Sequence, residues 1–92
     1  MSWAVSIYHG RFGRATLYQL NRPMTTHAHR EGHLIFLVQG TASSVPVLDR
    51  PRELSPEAAV AVNPWEPHSF VPGDQERGSL YLVLYVKPKK SS

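Results

Sequence analysis

Three histidines lie close together in the first half of the chain, and their spacing suits the binding of a metal ion. His27 and His29 form a His-x-His pair, and His33 follows four residues after His29. Residues two positions apart on a β-strand point to the same face, so an extended segment would bring the three imidazoles together. Gly32 could bend the chain just before His33. His68 lies on a distant segment, and a closed β-architecture would place it opposite the other three.

Four neutral imidazoles could bind zinc, iron, copper or nickel and, less strongly, manganese. A catalytic metal ion keeps one coordination position open for water or substrate, and the mouth of a barrel can provide that opening. Two other interpretations stay open: the histidines could be hydrogen-bonded within the core, or they could line a polar ligand pocket without metal. His9 lies outside the spacing pattern and is interpreted as a surface residue.

The composition limits the classes of protein to which the chain can belong. Its 92 residues predict a single domain, 1–92, and the absence of cysteine excludes disulfides and thiolate metal sites. The net charge of +3 comes from three lysines in the last six residues, since seven arginines balance seven acidic residues. We therefore expect a basic disordered tail, 88–92, and no direct contact of the domain with nucleic acid. With no signal peptide and no apolar run of about 20 residues, we predict a cytoplasmic protein that does not contact a membrane.

Short β-type runs separated by proline and glycine make up most of the sequence, and no window of about 12 residues has a helical period. The predicted strands cover residues 15–20, 33–38, 44–48, 52–54, 58–62, 69–71 and 79–86. Seven or eight such strands, with turns every 8 to 12 residues, are typical of a sandwich or barrel. The sequence therefore predicts an all-β fold, with a barrel over about 14–87.

The segment from His27 to Gly40 resembles the first motif of the cupin superfamily. In words, that motif is His-x-His, three or four residues, Glu, six residues, Gly. The spacing of this chain matches throughout, and only the glutamate is replaced, by His33. The resemblance implies a small cupin domain with a jelly-roll-like β-barrel.

A second segment resembles the other cupin motif, Pro-x-Gly-x-x-His. His68 matches its histidine, whereas Asn63 stands in place of proline and Trp65 in place of glycine. Within the cupins, the sequence is most similar to the N-terminal ligand-sensing domains of AraC-type transcriptional regulators, in the stretches 27–40, 63–70 and 82–88. In that family two helix-turn-helix units follow the cupin. We expect this chain to be such a domain without them, or a stand-alone relative.

The resemblance implies a set of metal ligands: His27, His29, His33 and His68. This set is neutral, whereas three histidines and a glutamate carry one negative charge, so a bound zinc, nickel, iron or manganese ion would be more electrophilic. The four imidazole rings would also depend more on hydrogen-bond acceptors that orient them than a set of three histidines and a glutamate would. Glu31 would become a ligand if His33 turned away, and would otherwise be solvated.

The predicted ligand-binding residues are Trp65, at the mouth of the pocket, and Phe36, on an apolar strand. An aromatic residue in a turn can instead pack on the outside of the barrel, and Phe36 can belong to the core. The leading prediction is a small-molecule-sensing and dimerising domain that binds an effector, forms a homodimer and is not an enzyme. The alternative is a stand-alone metal-dependent cupin enzyme, a dioxygenase or isomerase. A third possibility is a stabilising or storage-type β-domain without a small ligand.

Overall fold

The computed structural model describes residues 3–87, and within them the chain forms nine β-strands and no helix. In chain order the strands are β1 (Trp3–Gly10), β2 (Gly13–Leu20), β3 (Met24–His27), β4 (Gly32–Gln39), β5 (Ser43–Ser44), β6 (Glu53–Leu54), β7 (Val60–Val62), β8 (His68–Phe70) and β9 (Ser79–Val86). The all-β prediction is confirmed, and the predicted tail, 88–92, lies outside the described residues. Residues 3–87 contain no helix long and apolar enough to cross a membrane.

The larger layer is an antiparallel sheet of five strands in the order β1-β2-β9-β4-β7. Two of its inner strands, β4 and β9, contain the apolar runs that the sequence predicts as strands. Burial alternates along β4 from His33 to Leu37, with the odd-numbered residues buried. Since alternate side chains of a strand point to opposite faces, the even-numbered residues of β4 face outward.

The smaller layer consists of two short sheets, in which β3 pairs with β8 and β5 pairs with β6. Isolated bridges join them, from Ser44 to Val71 and from Val47 to His68. The hydrophobic core joins residues of both layers: Leu20, Ile35, Leu37, Val45, Val47, Leu54, Val60, Val62, Phe70, Tyr81 and Val83. This arrangement is the predicted jelly-roll-like barrel.

A hydrogen-bond network ties the two layers together at Tyr81, whose side chain is fully buried. The Ser43 hydroxyl donates to the carbonyl oxygen of Thr41 at 3.0 Å, so the Tyr81 hydroxyl, 2.6 Å from Ser43 Oγ, must be the donor of that pair. The backbone N–H of Gly73 also donates to Ser43 Oγ, at 3.1 Å. Each polar atom of this buried pair therefore has a partner, as a stable interior requires.

Gly40, the last residue of the first motif, directly follows β4 with a φ of 128°. A Cβ at this position would lie 2.1 Å from Ser79 Oγ. That oxygen accepts a hydrogen bond from the backbone N–H of Thr41 at 3.0 Å, so it cannot move away freely. Both the backbone angle and the close approach therefore require glycine here.

The sheet begins earlier and one strand ends sooner than the sequence predicts. β1 pairs with β2 from Trp3 to Gly10, so the sheet starts well before residue 14. All but the last residue of β1 are exposed, so no burial pattern marks this strand in the sequence. Within the predicted run 44–48, β5 ends at Ser44 and Val47 forms only isolated bridges, since Pro46 has no N–H with which to continue a ladder.

Candidate metal centre

Two of the predicted ligands face each other across the smaller layer. β3 ends at His27, which pairs directly with His68, the first residue of β8. Their ring centroids are 4.4 Å apart. His29 lies just beyond the end of β3, with its ring centroid 4.5 Å from that of His27 and 5.4 Å from that of His68. One ligand atom from each of these three rings lies within 4.8 Å of the others, so a single ion could contact all three.

His33 reaches the same place from the larger sheet. It lies on the buried face of β4, between Val62 of β7 and Tyr85 of β9. Its ring centroid is 4.7 Å from that of His29 and 5.2 Å from that of His68. The structure thus brings together all four histidines that the sequence predicts as ligands, and both layers of the barrel contribute to the cluster.

Backbone carbonyl groups fix the proton positions on two of the rings. Nδ1 of His27 lies 2.7 Å from the carbonyl oxygen of Thr25, and Nδ1 of His68 lies 2.9 Å from that of Glu66. A carbonyl oxygen can only accept, so each Nδ1 carries the hydrogen and each neutral ring keeps a lone pair on Nε2. Metal-binding histidines commonly make this hydrogen bond, because it orients the ring and makes the other nitrogen more basic.

His33 supplies an independent test of whether the residues fit a metal ion. Its Nε2 atom is buried and has no hydrogen-bond partner among the described residues. Leaving a buried polar atom unpaired costs about 1–3 kcal/mol, so such an atom calls for an explanation. A metal ion held by the four rings would provide the missing partner. The donor set, neutral nitrogen ligands with no thiolate, suits a divalent transition metal.

The electrostatic environment favours the neutral form of His29, His33 and His68. Burial, with smaller contributions from His29 and His68, lowers the pKa of His33 from 6.5 to about 4. Burial also lowers the pKa of His29, and the neighbouring His27 and His68 lower it further. Burial lowers the pKa of His68 despite the hydrogen bond to the Glu66 carbonyl, which acts in the opposite direction. Neutral imidazole is the form that binds metal.

Glu31 lies beside the cluster. One of its carboxylate oxygens and the ring nitrogens of His29 and His33 lie within 4.8 Å of one another. In this chain His33 stands where the cupin motif has glutamate, yet the carboxylate of Glu31, two residues earlier, still lies beside the histidine cluster. The sequence predicts Glu31 as a ligand only if His33 turns away. In the structure His33 stays in the cluster, and Glu31 lies close to it all the same.

Trp65 does not have the ligand-binding place that the sequence predicts. Its side chain is 65% exposed and is not among the residues that line the cavity. Its main chain contributes instead, because its N–H donates to the carbonyl oxygen of His29 at 2.6 Å. Trp65 occupies the glycine position of the second motif, and its φ of 62° is the left-handed conformation that glycine adopts without strain.

The prediction that Phe36 binds a ligand is also wrong, and the alternation of inward and outward side chains along β4 explains why. His33 and Ile35 face the interior, so Phe36 faces outward and is 36% exposed. It is neither a core residue nor one of the residues lining the cavity. His9, by contrast, is exposed on β1, in agreement with its interpretation as a surface residue.

A cavity of about 180 Å³ adjoins the histidines. Most of its wall is apolar, and the histidines and tyrosines supply most of its polar groups; the lining residues are Tyr18, Leu20, Met24, His27, His29, His33, Ile35, Val45, His68, Ser69, Phe70, Tyr81, Val83 and Tyr85. A mainly apolar wall with a few convergent polar groups is typical of a small-molecule site.

Sequence reasoning missed a pair of tyrosine hydroxyls at the histidine end of this cavity. The hydroxyls of Tyr18 and Tyr85 are 2.8 Å apart, and the Tyr85 ring packs edge-on against His33 with centroids 4.6 Å apart. The Arg14 guanidinium lies over the Tyr85 ring, 4.0 Å from its centroid, which holds the ring in place. Burial raises the pKa of Tyr85, so its hydroxyl stays protonated. The available signal was the alternation of β9, which puts Tyr81, Val83 and Tyr85 on the inner face.

No protein-family model and no curated protein matches the sequence. Solved structures do match. A cupin superfamily protein from Desulfitobacterium hafniense DCB-2 has a TM-score of 0.74 at 12% identity, over 95% of this chain and 79% of the other. The chain has the cupin fold. KdgF from Halomonas sp. has a TM-score of 0.74 at 25% identity, over 97% of this chain and 79% of its own. The polyketide cyclase RemF from Streptomyces resistomycificus has a TM-score of 0.64 at 25% identity, over 84% of this chain and 56% of RemF.

Proposed function

We propose that this chain is a metal-dependent cupin enzyme that acts on a small, mainly apolar organic molecule. The observation that carries the proposal is the buried Nε2 of His33, which lacks a partner among the described residues. Hydrogen bonds from Nδ1 of His27 and His68 to backbone carbonyls leave both of their Nε2 lone pairs free beside His33. A core histidine would make the same Nδ1 hydrogen bond, so the unpartnered Nε2 of His33, in a ring beside the others, is what favours a metal site.

The residues that would hold the metal ion fall into two overlapping groups, His27, His29 and His68 in one, and His29, His33 and Glu31 in the other. A bound divalent ion would supply Lewis-acid activation of a substrate oxygen or of water. If only the four imidazoles coordinated the ion, the ligands would contribute no negative charge, and the ion would be a stronger Lewis acid than with Glu31 bound.

The rest of the cavity would bind and orient the substrate. Leu20, Ile35 and Val83 offer apolar contacts and exclude water. In the hydroxyl pair of Tyr18 and Tyr85, one hydroxyl donates to the other, so one hydrogen of the pair remains for a substrate oxygen. The raised pKa of Tyr85 keeps its own hydroxyl protonated. We therefore expect a substrate with an oxygen function at one end and a hydrocarbon part at the other.

The similarity to RemF supports an enzymatic role, because RemF is a polyketide cyclase. The likeness to the Desulfitobacterium protein supports only the fold. The argument for catalysis in this chain therefore depends on its own residues, above all on the proximity of the metal ligands to a cavity of substrate size.

The test is to load the purified protein separately with zinc, nickel, iron(II) and manganese and to measure bound metal by elemental analysis. Small carbonyl, enol and phenolic compounds are then screened for turnover. The His27→Ala/His68→Ala double variant serves as the comparison, and circular dichroism establishes that it is folded. We expect about one ion per chain and turnover only in the loaded wild type. Equal metal content in wild type and variant, or an absence of metal in both, would contradict the proposal.

A second candidate is the predicted effector-binding domain of an AraC-like regulator. The observation that favours it is the same cavity, which would hold an effector as readily as a substrate, together with the motif wording in 27–40 and 63–70. One measurement separates the two. An effector is recovered unchanged after binding and shifts the melting temperature, whereas a substrate is consumed.

A further inference from the structure

We infer that a binding site for a carboxylate adjoins the histidine cluster, and that Arg14 holds the acid group of a small organic acid there. The inference rests on the proposed function for the presence of a substrate, and it narrows that substrate to an anion. Arg14 lies on β2, two residues before the buried Thr16. Since alternate side chains of a strand share a face, Arg14 faces the inside of the barrel.

The strand register places Arg14 in one row with the cluster. It pairs directly with Tyr85 of β9, and Tyr85 pairs directly with His33 of β4. Directly paired residues share a face and neighbouring strands are about 4.8 Å apart, so the α-carbons of Arg14 and His33 are about 10 Å apart. A group held by Arg14 would therefore lie within the length of one small molecule from the histidines.

The guanidinium of Arg14 has no acidic partner among residues 3–87. It lies over the Tyr85 ring, 4.0 Å from the centroid, and makes neither an ion pair nor a hydrogen bond with the residues that the structure describes. Contact with the face of a ring leaves the five N–H donors of an arginine without acceptors. A half-buried cation in this state is suited to an anion, and its planar fork matches the two oxygens of a carboxylate.

A groove beside the cluster provides room for such an anion. Its volume is about 440 Å³, and Tyr85 lines both this groove and the apolar cavity, so the two adjoin. The charged residues of the groove are Arg14, Lys87 and Glu31. Two cations against one carboxylate leave one positive charge, which suits a monoanion such as a carboxylate better than a phosphate dianion.

The electrostatics of the cluster also favour an anion beside Arg14. Burial is the largest cause of the lowered pKa of His33, and the charge of Arg14 is a smaller cause that acts in the same direction. The same charge would repel a metal ion held by the histidines. A carboxylate between the two would offset that repulsion, so Arg14 would favour binding of the acid and the metal ion together.

The substrate class that fits both spaces is a mainly apolar acid with one carboxylate. Its acid group would lie in the groove, against Arg14 and Lys87. Its hydrocarbon part would lie in the cavity, where Leu20, Ile35 and Val83 offer apolar contacts.

The test compares 3-phenylpropanoate with 3-phenylpropanamide, which has the same shape and no charge, by calorimetric titration of the metal-free full chain. Omitting the metal ion removes direct coordination of the carboxylate, so the comparison reports the protein groups alone. We expect wild type to bind the acid about 10- to 100-fold more tightly than the amide, the usual effect of a hydrogen bond to a charged group. Arg14→Gln should abolish this preference, and Arg14→Lys should keep part of it.

Arg50→Gln is the matched control, because Arg50 is an exposed arginine in the turn 47–50 and its loss changes the net charge equally. It should keep the wild-type preference, and circular dichroism establishes that all variants are folded. If Arg14 served only to hold the Tyr85 ring, Arg14→Gln would weaken the binding of both probes equally, which would overturn the inference. Equal affinities of acid and amide in wild type, or no binding of either, would also overturn it.

The carboxylate site and the proposed enzyme can fail separately, since the titration needs neither metal nor turnover. A preference for the acid that depends on Arg14, in a protein that binds no metal, would support the carboxylate site and contradict the enzyme. Turnover by the metal-loaded protein, without any preference for the acid in the titration, would support the enzyme and overturn the carboxylate site.

Discussion

His27 and His68 form a directly opposed cross-strand pair, and each donates its Nδ1 hydrogen to the main-chain carbonyl two residues before it. The orientation of each ring therefore depends on the backbone rather than on acidic side chains. Changes to the side chain of Thr25 leave its carbonyl acceptor in place. The proton positions that prepare the rings for metal are thus properties of the strands themselves.

The first prediction concerns metal affinity. His68→Ala should weaken metal binding by more than about 100-fold, since it removes a ligand, while the loss of an orienting partner alone costs about 10- to 100-fold. Thr25→Ala, which keeps the carbonyl that holds His27, should stay close to wild type. Calorimetric titration with zinc measures both. A similar loss in the two variants would mean that the site is sensitive to any change in β3 and β8.

The second prediction is a loss of stability of the metal-free protein below pH 6.5. The pKa of His33 is about 4 in the folded chain, against 6.5 as its ordinary value, so the unfolded chain binds more protons between these two pH values. The free energy of unfolding should therefore fall as the pH falls from 6.5 towards 4, and this contribution should level off below 4.

Urea unfolding of wild type and of His33→Gln, at several pH values, measures that contribution. All other ionisable groups are present in both proteins, so the difference between the two curves reports the contribution of His33. We expect wild type to have the steeper pH dependence between 6.5 and 5. Parallel curves would show that His33 is not kept neutral by burial.

The third prediction follows from the backbone of Trp65. Trp65→Gly should raise the free energy of unfolding by about 1 kcal/mol, because a left-handed φ strains a tryptophan but not a glycine. Metal affinity should stay the same, since the N–H that holds the His29 carbonyl is retained. Trp65→Ala is the control, because it removes the same ring but keeps the strain. If Trp65→Gly instead lost metal or ligand binding, the indole would have a role that its exposure does not suggest.

The fourth prediction concerns the glycine that ends the first motif. Gly40→Ala should lower the free energy of unfolding by at least about 2 kcal/mol, because the new methyl group would meet Ser79 Oγ and the φ of 128° would be strained. Gly32→Ala makes the same chemical change where the nearest atom would be 3.4 Å away, and should cost less than half as much. Denaturation in urea compares the two, and equal losses would contradict this account.

The fifth prediction concerns the tyrosine pair. Tyr18→Phe and Tyr85→Phe break the same hydrogen bond, so each should reduce substrate turnover or ligand affinity by about tenfold, the usual effect of one hydrogen bond. Tyr81→Phe is the control, because its hydroxyl donates to Ser43 rather than to a ligand, and it should affect stability instead. Unequal effects of Tyr18→Phe and Tyr85→Phe would show that the two hydroxyls act separately.

The sequence was most informative where a residue type and its spacing both limit the structure. The spacing from His27 to Gly40, together with His68 in the second motif, led to the fold and to the four rings that the structure brings together. The route to that convergence was only partly predictable. The strand ends at His27, and the meeting of His27 with His68 depends on long-range pairing that no local pattern encodes.

Two errors had a signal that could have prevented them, and other features had none. If His33 faces inward, strand parity puts Phe36 outside, and the glycine position of the second motif requires a left-handed backbone at Trp65. The alternation of β9 could have placed Tyr85 on the inner face, but its contact with Tyr18 depends on side-chain orientation across two strands, which no local pattern encodes. The homodimer, the small-molecule effector and the cytoplasmic location stay predictions.

The network around Tyr81 makes the cavity directional. The Tyr81 hydrogen is already donated to Ser43, and its ring packs against Phe70 with centroids 5.0 Å apart, so this part of the wall acts as hydrocarbon. The hydrogen left over by Tyr18 and Tyr85 lies beside His33, at the other side of the lining. The cavity can therefore distinguish the polar end of a ligand from its apolar end. An amphiphile would enter in one orientation, and a molecule that is polar at both ends would leave one of its groups without a partner.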